Sequence, residues 1–336
     1  MSATQLPKVK ILGTGMYVPK KVLTNFDLEK MVETNDQWIY ERTGIKARRV
    51  SSTEGGEYPT DMAEKATWQA LEAAGLEPND IDMILFATCS GDYQLPNCAC
   101  VLQQKLGMTN NCVALDIAAA CTGFVYGTNM ANSFIKTGMA KNVLVVGSEM
   151  LSTKIDWSDR GSCILFGDGC GVAIYGAAEE GEESGILSTT LGADGTGAEF
   201  FSQPVGGSVE PIDHHHIDDN LQFMRMKGRE MFKVATRTLA ESAKKVLADA
   251  GLTKEDLDWV VPHQANVRII ETTAKLLDMN LDKWIVNIEN YGNTSAATVP
   301  IALHEAITDG RIKRGQTILF DSFGAGLTYG ATLLRY

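Results

Sequence analysis

Three segments of the chain set a side chain capable of chemistry among neighbours that would expose it. Cys121 stands in Ala118-Ala119-Ala120-Cys121-Thr122-Gly123-Phe124, with small residues before it and an apolar helical pattern after it. A thiol at a helix N-terminus feels the partial positive charge of that end, which favours the nucleophilic thiolate; a buried structural cysteine is the equal alternative from this segment alone. His263, in Val261-Pro262-His263-Gln264-Ala265-Asn266, directly follows an apolar strand. An imidazole there can serve a site as donor or acceptor, or be a core or loop histidine making one hydrogen bond. Asn293, in Tyr291-Gly292-Asn293-Thr294-Ser295-Ala296-Ala297, carries an amide, and Asn is also among the best helix N-caps. Near the C-terminus, Ser322-Phe323-Gly324-Ala325-Gly326-Leu327 follows a strand. Such a small-residue turn lets backbone N–H groups approach a ligand, although glycine turns are common.

The elements that must position these residues occur twice. Ala74-Gly75-Leu76, then Asp80-Ile81-Asp82 and the run Met83-Ile84-Leu85-Phe86, is matched by Ala250-Gly251-Leu252, then Asp256-Leu257-Asp258 and Trp259-Val260-Val261-Pro262. In both, an amphipathic helix ends at a glycine, a short acidic loop follows and a buried strand begins. A second block, Asp116 through Cys121-Thr122 to Ile135, Gly138 and Lys141, lines up with Ile288 through Asn293-Thr294 to Ile307, Gly310 and Lys313. Each then enters an apolar strand, Val143–Val146 or Thr317–Phe320. Strands alternating with helices predict an α/β chain of parallel sheets covered by helices, in two similar layered units about a pseudo-twofold axis. The junction is placed near residue 180, in Glu179-Glu180-Gly181-Glu182-Glu183, dividing the chain into 1–180 and 181–336. In that register Cys121 and Asn293 are equivalent, each expected at a helix start. His263 ends a strand where Ala87 stands in the first half, and open parallel sheets bind ligands at such strand ends.

Bulk properties narrow the classes. The 336 residues, 44% hydrophobic, can bury a large core. The apolar runs Met83–Ala87 and Val143–Val146 are far shorter than the ~20 residues of a membrane-spanning helix. The start, MSATQLPKVKILGTG, lacks the basic, apolar and small-residue pattern of a signal peptide, and seven irregularly spaced cysteines fit free thiols in a reducing cytoplasm. A net charge of -12 argues against nucleic acid as a partner. The basic clusters Lys46, Arg48, Arg49 and Arg225, Lys227, Arg229, Lys233 read, from spacing alone, as solvated faces.

Together, the cysteine stretch, the His-Gln-Ala-Asn segment, the Gly-Asn-Thr-Ser-Ala segment and the terminal glycine turn, in that order, resemble the beta-ketoacyl-acyl carrier protein synthase III family over nearly the whole chain. The resemblance implies the thiolase fold, two αβαβα-type halves carrying a Cys-His-Asn triad of Cys121, His263 and Asn293. It implies an oxyanion hole from the backbone N–H groups of Cys121 and Ala325. Coenzyme A would be held by Trp38, from Asp36-Gln37-Trp38-Ile39, stacking on adenine with Arg160 opposite. Arg42, from Glu41-Arg42-Thr43-Gly44-Ile45, would lie nearby, and Gly228 and Asn266 would border the pantetheine channel. Without the family, Trp38 reads as a packing residue and Arg160 as a surface charge. Leu95, Phe166 and Phe323 are assigned to the acyl pocket, Leu95 reaching it from the partner of a homodimer. A patch centred on Arg268 and Lys233, with Arg229 and Lys275, is assigned to an acidic acyl carrier protein. The implied reaction joins an acyl-coenzyme A starter to malonyl-acyl carrier protein with loss of carbon dioxide. Acyl-coenzyme A is a substrate, and no metal or redox cofactor is called for.

Departures from the family's pattern locate what is particular to this chain. The terminal turn reads Gly324-Ala325-Gly326 where some members have three glycines; Leu95 replaces a phenylalanine and Arg229 a smaller polar residue. Between Gly206 and Phe223 the chain is longer and carries His214-His215-His216, expected as an exposed loop because consecutive residues point in different directions. A sister acyltransferase of secondary metabolism, with the same acyl-cysteine and another acceptor, is the nearest alternative. A catalytically silent scaffold or metal-binding module around the histidine run is the alternative from another class.

Overall fold

The computed structural model describes residues 6–52 and 55–336; residues 1–5, where the segment read for a signal sequence begins, lie outside it. In the first half, strands β1 (Val9–Tyr17), β2 (Met83–Ala87), β3 (Val113–Ile117), β4 (Val143–Met150) and β5 (Asp168–Ala177) form one sheet in the order β1–β5–β4–β2–β3. In the second, β6 (Gly185–Ala193), β7 (Trp259–Pro262), β8 (Thr317–Gly324) and β9 (Thr328–Arg335) form another in the order β7–β8–β9–β6. The acidic stretch 179–183 lies between β5 and β6.

The sheets are mixed, not parallel as the alternation of elements predicted. β2 runs parallel to β3 and β4, and β7 to β8. The pairs β1–β5, β4–β5, β8–β9 and β9–β6 are antiparallel. For the strands joined by helices or by a tight turn, the connection accounts for the direction. β2, β3 and β4 are joined through helices, which carry the chain back to start a parallel neighbour. β8 passes to β9 through three residues, and a tight turn can only reverse the chain.

Six helices complete the layers that matter for the site: α1 (Pro59–Ala74), α2 (Cys98–Lys105), α3 (Gly123–Lys136), α4 (Gly228–Asp249), α5 (Val267–Leu276) and α6 (Thr298–Thr308). α1 opens with Pro at its first position, where no N–H is needed, and is closed by Gly75 at φ 66°. It lays Met62, Ala63, Ala66 and Ala70 on the first sheet. α4 and α5 cover the outer face of the second sheet through Ala243, Val246, Ile270 and Ala274. α3 and α6 lie between the sheets, and one core joins Phe124 and Leu303 of these helices to Val145 of the first sheet and Phe320 of the second. The order is therefore helix, sheet, helix, sheet, helix. The repeated blocks fold alike: each acidic loop is a 3-10 turn, Pro78–Asp80 or Lys254–Asp256, feeding β2 or β7.

The halves meet backbone to backbone. A Cβ placed on Gly147 of β4 would lie 2.3 Å from the carbonyl oxygen of Ala296, in the turn before α6. A Cβ on Gly324, at the end of β8, would lie 2.8 Å from the backbone nitrogen of Cys121. Both distances are too short for any side chain, so glycine at these two positions sets how closely the two turns can come together.

The histidine run is not the expected loop. His214–Asp218 is a short helix, capped by Asp213, whose Oδ1 accepts the N–H groups of His215 and His216 at 2.9 and 3.1 Å. An aspartate just ahead of the run supplies the cap that the histidines alone did not suggest. His216 also meets Glu210 at 3.1 Å.

Candidate active site

Cys121 occupies the 3-10 turn Ala120–Thr122 that leads into α3, rather than the first turn of the α-helix itself. Ala120 holds φ 45°, a conformation an alanine adopts only when its surroundings impose it. The surroundings here include the end of β8, whose Ser322 Oγ donates to the Cys121 carbonyl at 2.8 Å. Asn293 lies between the short helix Ile288–Tyr291 and the 3-10 turn Ser295–Ala297. The first half grips its backbone: Asn293 N–H donates to Leu165 O at 2.8 Å, and Gly167 N–H donates to Asn293 O at 3.0 Å. Its side chain does not cap a long helix. Oδ1 accepts the N–H of Ser295 at 2.8 Å. A backbone N–H can only donate, so the oxygen end is defined and Nδ2 is left to donate elsewhere.

His263 follows β7 directly, its N–H donating to Asp321 O at 2.8 Å. Nδ1 is 2.6 Å from Thr298 Oγ1, and no carboxylate pairs with the ring among the described residues. Burial pushes the imidazole down to about 3, so it is neutral at physiological pH.

These residues converge on one space. A cavity of about 300 Å³ is lined by Cys121, His263, Asn293, Phe323 and Ala325, and reaches Arg42, Gly228, Asn266 and Arg268 at its other end. A second, of about 150 Å³, shares Cys121, Phe166 and Ala325 and continues past Cys89, Leu151 and Met224. Cys121 thus stands where a longer channel meets a smaller apolar chamber. Asn266 caps α5, its Oδ1 accepting Arg268 N–H at 2.9 Å, and Gly228 is the first residue of α4.

At the far end, Trp38 is stacked by two guanidinium groups, Arg42 at 4.3 Å and Arg160 at 4.7 Å from the ring centroid. The sequence reading put a purine between Trp38 and Arg160. Here the arginine itself is at stacking distance, so a base entering there must displace it. Leu95 is 87% exposed on the loop before α2 and lines neither cavity of its own chain. Arg229, Lys233, Arg268 and Lys275 are all exposed, and none is in an ion pair among the described residues. They do not share one rim: Arg268 borders the cavity, while Lys233 borders a neighbouring groove with Arg237 and Asp194.

Three residues of the site went unread in the sequence. Ser295, at φ 51°, is a second strained non-glycine residue, two residues beyond Asn293. Thr298 holds the histidine. Glu149, at the end of β4, is fully buried and accepts from Cys89 N–H and Thr88 Oγ1, each at 3.1 Å, and from Ser90 Oγ. Burial raises its pKa against the pull of those donors. A glutamate ending a run of apolar strand residues was the available signal.

One expectation is corrected. The helix end was to favour thiolate, but burial pushes the Cys121 thiol up to about 12 and outweighs the dipole in this closed pocket.

The family described as 3-oxoacyl-[acyl-carrier-protein] synthase III matches residues 115–195, and its C-terminal counterpart matches residues 247–336. The chain is 49% identical over 326 residues to beta-ketoacyl-[acyl-carrier-protein] synthase III of Caldanaerobacter subterraneus subsp. tengcongensis, covering 97% of each protein. The crystal structure of 3-oxoacyl-[acyl-carrier-protein] synthase III from Aquifex aeolicus superposes with a TM-score of 0.90 at 48% identity, over 98% of this chain and 100% of that one. The priming beta-ketosynthase of the R1128 polyketide pathway superposes equally well, TM-score 0.90, at 31% identity over 100% and 98% of the two chains.

The raised thiol predicts a pH profile. Alkylation of Cys121 by iodoacetamide, in buffer without substrate, should accelerate about tenfold per pH unit from pH 7 to 9, because the thiolate fraction grows in that proportion below the pKa. Mass-spectrometric quantification of the Cys121 peptide checks this; a plateau below pH 8 would show that the helix end prevails over burial.

Proposed function

The chain belongs to the 3-oxoacyl-[acyl-carrier-protein] synthase III family and has its thiolase fold, and on that premise we propose that it condenses an acyl-coenzyme A starter with malonyl-acyl carrier protein to a 3-oxoacyl-acyl carrier protein, the initiating step of fatty acid synthesis. The observation that carries this reading is the convergence of Cys121, a neutral His263 and an oriented Asn293 amide on one cavity. In the first stage the Cys121 thiol gives up its proton, its sulfur bonds to the acyl carbonyl, the bond to the coenzyme A sulfur breaks, and coenzyme A leaves carrying a proton as its thiol. The oxyanion formed on the way is held by the N–H groups of Cys121 and Ala325, and losing one such donor costs about 3 kcal/mol in barrier height. In the second stage the malonyl carbon–carbon bond breaks, and carbon dioxide leaves. The electron pair left behind is delocalised onto the thioester oxygen, where His263 Nε2–H and Asn293 Nδ2–H donate. That carbon then attacks the acyl carbonyl, and Cys121 departs as thiolate. Neutral donors suit this step, because a full positive charge would over-stabilise an enolate that must remain nucleophilic. Electrons balance without a redox group or metal.

The cavities divide the substrates accordingly. The 300 Å³ channel, lined by Arg42, Gly228 and Asn266, takes coenzyme A and the carrier's pantetheine arm, with Trp38 and Arg160 stacked next to Arg42 outside its lining. The apolar chamber beside Phe166 takes the acyl group, with Phe323 on the channel side. No helix among the described residues is long and apolar enough to cross a membrane; the seven free cysteines favour a reducing compartment, the cytoplasm.

Cys121→Ala should abolish labelling by radioactive acetyl-coenzyme A. His263→Ala and Asn293→Ala should keep acylation within a few-fold while slowing carbon dioxide release by 10²-fold or more. Labelling of the Cys121→Ala protein, or normal decarboxylation in either other variant, would refute these roles. A homodimer is expected through β3, an outermost strand of its sheet, with Leu95 entering the partner's chamber. Light scattering that found a fully active monomer would end that expectation. The carrier protein is itself acidic, so docking on a chain of charge -12 requires local positive charge. Arg268→Glu with Lys233→Glu should reduce turnover of malonyl-acyl carrier protein selectively, leaving malonyl-coenzyme A turnover unchanged; equal losses would point to a damaged site and no loss to another docking face.

A further inference from the structure

The Thr298 hydroxyl has one proton and two acceptors in reach. Its oxygen lies 2.6 Å from His263 Nδ1 and 3.0 Å from the carbonyl oxygen of Ser295. The two choices have opposite consequences at the far side of the ring. With the hydroxyl proton on the Ser295 carbonyl, Nδ1 must donate to Thr298 Oγ1, and Nε2 then offers the cavity only a lone pair. With the hydroxyl proton on Nδ1, the single ring proton of a neutral imidazole sits on Nε2, and the cavity meets an N–H. Burial keeps the ring neutral, so both nitrogens are not protonated together.

The surroundings weigh the choice. The Ser295 carbonyl does not depend on the hydroxyl, because the backbone N–H of Thr298 also donates to it. Nδ1 has no hydrogen-bond partner other than Thr298 among the described residues. Thr298 is 2% exposed and is the first residue of α6, so its hydroxyl is fixed by a rigid element and screened from water that might replace it. The other half of the donor pair is set from the same turn, since Ser295 N–H defines the Asn293 amide.

We infer that Thr298 is a positioning residue: it donates its hydroxyl proton to His263 Nδ1 and holds the ring in the Nε2–H form that decarboxylation uses. This rests on the condensing reading given above, in which Nε2 must donate to the thioester oxygen. No proton is gained or lost in the assignment; one hydroxyl proton turns from a carbonyl that keeps another donor to a nitrogen that has none.

The test reads the tautomer directly. The chain has five histidines. In protein labelled with ¹⁵N-histidine, the signals absent from His263→Gln belong to His263. At neutral pH and without substrate, Nε2 should carry the proton and Nδ1 should show the shift of an unprotonated, hydrogen-bonded nitrogen. Thr298→Val keeps the shape and removes the hydroxyl. It should lower malonyl decarboxylation about 10²-fold, the size expected for losing one well-placed donor, with Cys121 acylation unchanged within a few-fold. Thr298→Ser should restore both the spectrum and the decarboxylation rate. A proton on Nδ1 in the unaltered protein overturns the inference, as does unchanged decarboxylation in Thr298→Val, equal loss of both stages, or failure of serine to restore. Should Thr298→Val not fold, the spectra of the unaltered protein and Thr298→Ser decide alone. Failure of the unaltered protein to acylate Cys121 would instead overturn the condensing reading, because the spectrum is recorded without turnover.

Discussion

The structure turns on an approach between two backbones that leaves no room for side chains. Gly147 meets the carbonyl of Ala296, and Gly324 meets the amide of Cys121, each at a distance only a hydrogen allows. Around these contacts the turn before α3 and the turn before α6 are brought together from opposite halves of the chain. The backbone of Asn293 is then caught between Leu165 and Gly167 of the first half, and that of Cys121 by Ser322 of the second. Each half therefore clamps the candidate site residue that the other half carries. A site built in this way is as rigid as the packing of the whole molecule, which is what positioning to a few tenths of an ångström requires.

The electrostatics follow from the same burial. No ion pair orients the histidine, and the thiol is pushed away from its charged form. The chemistry proposed here forms charge only transiently, on a thioester oxygen and on sulfur. Fixed neutral donors in a buried site stabilise such charge strongly, without the reorganisation that water would need. A buried carboxyl at Glu149 keeps to this pattern, because burial raises its pKa towards the neutral form. Positive charge lies at the Trp38 stack and on the exposed faces of α4 and α5, with one exception: Arg48, expected on a solvated face, is fully buried and donates to Asn25 Oδ1 and the Ile164 carbonyl.

Much of this was legible in the residues. The repeated blocks fold as repeats because each carries its own local signals: a helix closed at Gly75 or just before Gly251, an acidic 3-10 turn, and an apolar strand. These are short-range effects and survive transfer from peptide to protein. Small residues and strand ends made Cys121, His263 and Asn293 candidates, and the resemblance to the family joined them into a triad. Strand direction could not be read in this way, because apolar runs look alike whichever way their neighbour points. The β8–β9 reversal emerged from its three-residue turn, and the β4–β5 reversal only from the folded sheet, since residues 151–167 between them are enough for either direction. The helix at His214–Asp218 depended on one capping aspartate that the eye passes over beside three histidines.

The sequence by itself marked the candidate side chains, outlined the helices and strands of the repeated blocks, and showed that the chain is built twice. Only the tertiary structure decided what those side chains are at the site. The thiol's protonation, the neutrality of the imidazole, the direction of the Asn293 amide and the partner of His263 Nδ1 all depend on groups far away in the chain. Thr298 is 35 residues from His263, and Ser322 is 201 from Cys121. Proton affinity and hydrogen-bond direction are set by burial and by neighbours in space, and both exist only once the two halves have closed on each other.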